Sequence, residues 1–183
     1  MGYLHIYTGN GKGKTTCAVG LAIRAMGASH RVAFIQFDKG FDGTNEHYKE
    51  RHVLRGLPGV DVCPFGLERM MPDGKFRFQN IEADVEQARA ALAKAEAVIR
   101  AGEHDLVILD ELVTCIGTKL LSEQDVMDLV AVYRQVGSPC ELVLTGRSAW
   151  PALIEVADLV TEMTLVKHYW YEHKVDARPG VDY

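Results

Sequence analysis

Cysteine is scarce in this 183-residue sequence, with four residues in all. They stand far apart, without a Cys-x-x-Cys pair and without histidines at zinc-finger spacing: Cys17, Cys63, Cys115 and Cys140. These spacings exclude a disulfide framework and a structural zinc ribbon. Each cysteine lies in or beside an apolar run, which is typical of buried, reduced thiols. We therefore expect a protein of the reducing cytoplasm.

Long apolar stretches and an excess of positive charge are also missing. No segment approaches the roughly 20 apolar residues that cross a bilayer, and the first residues lack the basic segment and apolar core of a signal peptide. Lysine and arginine total 20 against 25 acidic residues, so the net charge is -5. This balance disfavours a broad nucleic-acid-binding surface. We expect small-molecule partners, with no nucleic acid and no membrane.

The chain reads as one domain, residues 1–183, because no linker, internal repeat or low-complexity tract interrupts it. Strand-like and helix-like segments alternate, a pattern typical of a mainly parallel sheet covered by helices on both faces. The predicted strands are 3–7, 31–37, 60–64, 105–111, 141–145 and 159–166. The predicted helices cover 18–26, 81–102, a segment that opens at Ser122, and 150–156. Residues 168–183 are expected to form an irregular C-terminal tail, whose aromatic and histidine cluster serves packing and subunit contact.

A phosphate-binding loop is predicted between the first strand and the first helix. Residues 8–16 read Thr-Gly-Asn-Gly-Lys-Gly-Lys-Thr-Thr, and this placement lets backbone N–H groups converge at a helix N-terminus. The standard pattern G-x-x-x-x-G-K-[ST] has glycine where this chain has Thr8, whereas Gly13, Lys14 and Thr15 match it. Lys14 is expected to reach the terminal phosphates, and the Thr15 hydroxyl to bind magnesium. The alternative is a tight turn with solvated lysines.

A second part of a nucleotide site is predicted at the end of the fourth strand. The run from Asp105 to Glu111 is apolar and ends in two carboxylates, Asp110 and Glu111. The carboxyl end of a buried parallel strand faces the ligand crevice. One carboxylate there can hold magnesium directly or through water, and the other can orient water or a neighbouring group. We therefore expect the metal site at Thr15, Asp110 and Glu111, for magnesium or for manganese in its place.

Six short motifs together carry a family resemblance. They are Tyr7 to Thr16, Gln36 to Gly40, Gln79-Asn80, Leu109 to Glu111, Leu144 to Arg147 and the ending Ala177 to Tyr183. In these motifs the sequence resembles the ATP:corrinoid adenosyltransferases of cobalamin biosynthesis, over nearly its whole length. The departure at Thr8 is itself characteristic of that family. The resemblance implies a P-loop NTPase-like domain of the RecA-like α/β class.

The resemblance also implies a reaction. It is the transfer of the 5′-deoxyadenosyl group of ATP to the cobalt of a reduced, cob(I) corrinoid, with triphosphate as the leaving group. The protein then has to aim the 5′ carbon and neutralise the triphosphate. Lys39 and Arg147 are expected to contact phosphate or nucleotide, with solvated surface charge as the alternative for both. The residues expected to hold ATP in the loop, with Lys12 and Lys14 as catalytic cations, are Gly9, Asn10, Gly11, Lys12, Gly13, Lys14, Thr15 and Thr16.

The family further implies an aromatic face for the corrinoid. Phe76 and Phe78 are expected to supply it, in a long loop whose other apolar candidates are Phe65, Met70 and Met71. Known members carry a Phe-x-Trp pair a few residues before Gln-Asn, whereas here Phe76-x-Phe78 directly precedes Gln79. The alternative is that both phenylalanines only pin the loop to the body of the protein.

Partners and rival functions complete the sequence-based expectations. The resemblance implies a homodimer and an electron donor such as a reduced flavoprotein. A small P-loop kinase would instead pass on the terminal phosphoryl group, and is expected to carry an arginine-bearing lid. A non-catalytic ATP-dependent switch would use ATP only to order a loop, such as 38–46 or 65–80.

Overall fold

The structure is a computed structural model that describes residues 1–41, 43–44, 46–69, 71 and 77–183. Within these ranges the strands are β1 (Leu4–Thr8), β2 (Val32–Gln36), β3 (Val60–Pro64), β4 (Leu106–Asp110), β5 (Glu141–Thr145) and β6 (Leu159–Glu162). They form one sheet in the order β3-β2-β4-β5-β1-β6, and every neighbouring pair is parallel. The predicted parallel α/β fold is confirmed.

The helices within the same ranges are α1 (Lys14–Gly27), α2 (Glu50–Leu54), α3 (Glu82–Ala101), α4 (Thr114–Gly117), α5 (Glu123–Gln135), α6 (Pro151–Val156) and α7 (Tyr169–His173). Local sequence signals explain two of the boundaries. The Ser122 hydroxyl accepts a hydrogen bond from Asp125 N and caps the start of α5. Gly102 ends α3 in a left-handed conformation, which glycine adopts without a steric cost.

Helices cover both faces of the sheet, because successive side chains along each strand point to opposite sides. On one face Ile35 and Leu109 pack with buried residues of α3 and α5. On the other face Phe34 and Ile108 pack with Ala18 and neighbouring residues of α1. Strand β4 is buried along its whole length, which explains its unbroken apolar run. In the described part of the chain, no helix combines the length and apolar character that crossing a membrane requires.

Two terminal segments differ from their predictions. Strand β6 ends at Glu162 rather than at the predicted Val166. Glu162 pairs with Thr8, the last residue of β1, so the pairing of the two strands stops there. Residues 169–173 form the short helix α7, where the sequence predicts irregular structure. The ring nitrogen Nδ1 of His168 accepts a hydrogen bond from Trp170 N at 3.2 Å, and so caps this helix.

The cysteines are free thiols, as the sequence predicts. Cys115 and Cys140 are buried and Cys63 is partly buried. Cys17 is exposed, so the prediction of a buried thiol is wrong at this position. The reason is the helical period: α1 turns Ala18 and Ala22 toward the sheet, and Cys17 lies on a different face of the helix.

Candidate active site at the carboxyl edge of the sheet

The loop between β1 and α1 curls at the N-terminus of α1. Its backbone turns at Gly9 (φ 97°) and Gly13 (φ 121°), in a region that strongly favours glycine. A Cβ atom at Gly9 would lie 2.5 Å from the carbonyl oxygen of Met163. Thr8 ends β1 and its Oγ1 accepts a hydrogen bond from Ala149 N at 3.1 Å. The glycine that this turn requires is therefore Gly9, next to the position where the standard pattern has one.

Lys14 points into this loop. Its Nζ donates to the carbonyl oxygens of Gly9 at 2.7 Å and Gly11 at 2.8 Å, and the residue is 7% exposed. Burial lowers the pKa of Lys14, and the nearby Arg147 guanidinium lowers it further. The helix N-terminus and these two cations together favour an anion at the loop.

Lys12, the other lysine of the loop, contacts the C-terminal tail. Its Nζ forms an ion pair with the carboxylate of Asp182 and donates to the carbonyl oxygen of Val181. The Tyr169 hydroxyl also donates to Asp182, and Arg178 Nε does so at 3.2 Å. The hydrogen bonds from Lys12 and Tyr169 hold the pKa of the Asp182 carboxyl well below its usual range. The tail thus folds back onto the phosphate loop and neutralises one of its lysines.

Asp110 is the centre of a buried polar network at the end of β4. Its side chain is completely buried. The groups that donate hydrogen bonds to it are Thr15 Oγ1 (2.9 Å), Thr145 Oγ1 (2.7 Å), Gln36 Nε2 (3.1 Å) and Lys39 Nζ (2.6 Å). Burial by itself would raise the pKa of this carboxyl, but the Lys39 ammonium and the other donors hold it below its usual value. Asp110 is therefore a carboxylate with both oxygens engaged.

We refer to Thr15, Asp110 and Glu111 as the carboxylate corner. Glu111 brings the second carboxylate to this corner. Its backbone is left-handed, with φ 64°, which is uncommon for a residue with a side chain and recurs at functional sites. Its N–H donates to Thr145 Oγ1 at 2.9 Å, and its Oε2 accepts a hydrogen bond from the Thr114 hydroxyl. Its Oε1 lies 4.0 Å from Lys39 Nζ. The sharp turn after β4 is thus held in place by hydroxyl groups from two neighbouring elements.

The oxygens at this corner fit a magnesium ion. A hydroxyl and two carboxylates are the hard oxygen ligands that magnesium prefers. A cation already stands among them, since the Lys39 ammonium lies 3.0 Å from Thr15 Oγ1 and 2.6 Å from Asp110 Oδ2. Among the residues that the structure describes, no three His, Cys, Asp or Glu side chains form a metal cluster. Phosphate oxygens and water would therefore have to complete the coordination.

Two cavities border the loop. The larger, about 800 Å³, is lined by loop residues 10–16, by Arg147, and by apolar and aromatic side chains that include Phe78, Leu165, Tyr169 and Trp170. The smaller, about 600 Å³, lies beside Lys39. Val181 and Asp182 contribute to the walls of both cavities. The tail is therefore part of the site rather than a separate appendage.

The structure brings most of the predicted site residues to this edge. Loop residues 9–16, Asp110, Glu111 and Arg147 all lie there. Lys39 is 7% exposed, so the alternative of a solvated surface charge is wrong for it. Its ammonium lies at the carboxylate corner rather than on the loop, because Asp110 is the nearest buried charge.

Of the two phenylalanines predicted to face the corrinoid, the structure describes Phe78. Phe78 is 85% exposed and lines the larger cavity. Phe76 and Met70 lie outside the described residues. Phe65 is partly buried against the core that contains α3 and α5, and it lines neither cavity.

Sequence reasoning places ligand contacts at the strand end 145–147, but it does not predict that Thr145 and Gln36 donate to Asp110, and it misses the contacts of the tail. Gln36 and Thr145 are the last residues of β2 and β5, the strands on either side of β4 in the sheet. The rule that ligand sites form at the carboxyl ends of parallel strands, applied to β2 as well, would have identified Gln36. No comparable signal in the sequence connects Asp182 with Lys12.

Comparisons with known proteins agree with this geometry. A family model described as "ATP:corrinoid adenosyltransferase BtuR/CobO/CobP" matches residues 1–183. A corrinoid adenosyltransferase of Escherichia coli K12 is 32% identical over 184 residues, covering 100% of this chain and 86% of the relative. Another, from Pseudomonas aeruginosa, is 34% identical over 184 residues, covering 100% of this chain and 84% of the relative.

A solved structure supports the fold. The flagellar accessory protein FlaH from Methanocaldococcus jannaschii superposes with a TM-score of 0.56 at 18% identity, over 87% of this chain and 70% of FlaH. At this identity the similarity concerns the fold alone. Together with the full-length family match, the phosphate loop and the carboxylate corner lead to one conclusion: the chain belongs to the family of ATP:corrinoid adenosyltransferases, enzymes that act on ATP and a corrinoid.

Proposed function

We propose that this protein transfers the 5′-deoxyadenosyl group of ATP to the cobalt of a reduced, cob(I) corrinoid and releases triphosphate. One observation carries the proposal: the larger cavity is lined both by the phosphate loop and by aromatic side chains. A triphosphate held by the loop would leave its nucleoside in this cavity. A large, flat and apolar second substrate could then pack against these aromatic side chains and approach the 5′ carbon.

The reaction needs no nucleophile from the protein. Co(I) donates an electron pair to C5′, the C5′–O bond breaks, and its electrons leave with the triphosphate, so that cobalt becomes Co(III). The cysteines line neither cavity. Burial raises the pKa of the Cys63, Cys115 and Cys140 thiols, which makes them poor nucleophiles. The protein's work is then to align the two substrates, which contributes about 7 to 11 kcal/mol in favourable cases.

The loop would bind and neutralise the leaving group. Lys14 Nζ, which now bonds to two loop carbonyls, would turn to the phosphates. Lys12 would exchange the Asp182 carboxylate for a phosphate oxygen. The backbone N–H groups of residues 9–16 and the Arg147 side chain would add further positive charge where the triphosphate departs.

The metal and the corrinoid face belong to the same proposal. Thr15, Asp110 and Glu111 would hold magnesium, or manganese, which when bound would neutralise phosphate charge. Phe78, at the rim of the larger cavity, would face the corrinoid, together with Phe76.

The proposal extends to partners and location. Cob(I) has to be generated by reduction, and we propose a reduced flavoprotein as the electron donor. We also propose a homodimer, on the basis of the family resemblance, and a location in the cytoplasm, on the basis of the reduced cysteines that the sequence predicts.

Product analysis tests the reaction. The protein is incubated without oxygen with ATP, magnesium and a chemically reduced corrinoid, and the products are separated by chromatography. The expected products are a light-sensitive adenosylated corrinoid and triphosphate in equal amounts. The Lys14→Met variant should lose both products, and Lys94→Met, which removes an exposed lysine of α3, should keep them.

Other product patterns would identify the rival functions. ADP formed together with a phosphorylated acceptor would contradict the proposal and indicate a kinase. Tight ATP binding without any product would indicate a nucleotide-dependent switch.

A further inference from the structure

Lys39 occupies the position where the metal is expected. Its Nζ lies 2.6 Å from Asp110 Oδ2, 3.0 Å from Thr15 Oγ1 and 4.0 Å from Glu111 Oε1. These are the same three side chains that the proposed function assigns to magnesium. The corner therefore holds the side-chain cation of Lys39.

Backbone and side-chain contacts together hold Lys39 in this position. Lys39 N donates to the carbonyl oxygen of Phe65 at 2.9 Å, and its own carbonyl oxygen accepts from the fully buried Arg51. Its ammonium also lies 5.0 Å from the centre of the Tyr48 ring, a distance typical of a cation–π contact. The side chain is thus directed to the carboxylate corner by contacts on several sides.

An ammonium and a magnesium ion cannot share this corner. Lys39 already contacts the Thr15 hydroxyl and the Asp110 carboxylate, the groups that would hold magnesium, and two cations at such short separation would repel each other strongly. Asp110 is already neutralised by the ion pair. Free magnesium would therefore have to displace Lys39 without offering it a new anionic partner.

A metal–polyphosphate complex would change this balance. It brings anionic oxygens of its own, to which the displaced ammonium can move. The smaller cavity is lined by both Lys39 and Thr15, so space for this movement adjoins the corner.

We propose that Lys39 is a displaceable counter-ion of the metal site, which prevents metal binding until the metal arrives together with a polyphosphate. The proposal rests on the proposed function only for the identity of the metal ligands. It makes Lys39 a positioning residue that selects metal-bound nucleotide over free metal.

Retention of Mn²⁺ by the protein during ultrafiltration tests this inference. The nucleotide-free wild type should retain little Mn²⁺, and addition of tripolyphosphate should increase the protein-bound metal at least about tenfold. Equal retention with and without tripolyphosphate would overturn the proposal. This comparison needs no variant and no corrinoid, so a failure of adenosyl transfer would not affect its result.

Two variants sharpen the test. Lys39→Gln keeps a hydrogen-bond donor for Asp110 but removes the charge, and Lys39→Met removes both. Each should bind Mn²⁺ without polyphosphate at least about tenfold more tightly than the wild type, and Mn²⁺ should raise its melting temperature. Lys94→Met, which removes an exposed lysine of α3, should behave as the wild type.

A purely structural role gives a different result. Lowered melting temperatures in the Lys39 variants, with no gain in Mn²⁺ retention and no stabilisation by Mn²⁺, would contradict the proposal. If Lys39→Met does not fold, Lys39→Gln and the wild-type comparison still decide the question.

Discussion

Asp182, near the end of the chain, forms an ion pair with Lys12 of the phosphate loop, 170 positions earlier in the sequence. The same ammonium is one of the two lysine cations that the proposed triphosphate site needs. On the proposed function, the tail carboxylate and a bound polyphosphate would compete for one positive charge.

Replacing Asp182 by asparagine should strengthen polyphosphate binding. Asparagine can still accept a hydrogen bond from Lys12, but it no longer neutralises the ammonium. We expect the dissociation constant of tripolyphosphate to fall about threefold to tenfold at low salt, measured by titration calorimetry.

The matched control is Asp176→Asn, which removes an exposed carboxylate from the same tail. It should leave the dissociation constant close to the wild-type value. Weaker binding in Asp182→Asn than in this control would show that the tail supports the nucleotide instead of competing with it.

Removing the Lys14 ammonium should abolish tight nucleotide binding. Charge-assisted hydrogen bonds contribute about 1.5 to 3 kcal/mol each, so Lys14→Met should raise the dissociation constant of ATP by about tenfold to a hundredfold. Circular dichroism should confirm an unchanged fold. An ATP affinity equal to that of Lys94→Met would exclude Lys14 from the phosphate site.

Phe78 should affect the corrinoid and not the nucleotide. Its side chain is 85% exposed at the rim of the larger cavity, so an apolar ligand that covers it would bury much of its area. Phe78→Ala should raise the KM for the corrinoid about tenfold and leave the KM for ATP unchanged. Tyr3→Ala, which removes an aromatic side chain exposed elsewhere, should change neither constant, and a larger effect on ATP than on corrinoid would contradict the assignment.

Asp84 should make the fold sensitive to acid. It is 2% exposed, accepts two hydrogen bonds from Arg77 at 2.6 and 2.9 Å, and caps α3 through Ile81 N at 2.9 Å. The hydrogen bonds from Arg77 lower the pKa of the Asp84 carboxyl below its ordinary 3.8. Because the folded-state pKa is lower than the unfolded one, this stabilisation is present above the unfolded pKa and is lost as the pH falls through the folded pKa.

Asp84→Asn should therefore lower the free energy of unfolding by about 1 to 3 kcal/mol near neutral pH. The difference from the wild type should shrink as the pH falls below about 4, as measured by urea denaturation across this range. Glu82→Gln, an exposed acidic residue in the same helical turn, serves as the control. A difference between Asp84→Asn and the wild type that does not change with pH would contradict the linkage.

The order of strands and helices and the position of the phosphate loop could be predicted from the sequence, because both depend on local patterns. The buried run of β4 and the glycine-rich turn before α1 each signal their own structure within a few residues. The close approach of Gly9 to the Met163 carbonyl oxygen could not be predicted, since it depends on the pairing of β1 with β6. The helix α7 was likewise missed, because its cap is a histidine rather than one of the common capping residues.

The amino-acid sequence by itself thus determined the fold class, the family, and which residue types stand at the carboxyl ends of the strands. Only the tertiary structure decided how their charges pair: Lys39 with Asp110, 71 positions apart, and Lys12 with Asp182. The physical reason is that an ion pair depends on distance in space. That distance follows from the strand order of the sheet and the path of the tail, which no local pattern of residues encodes.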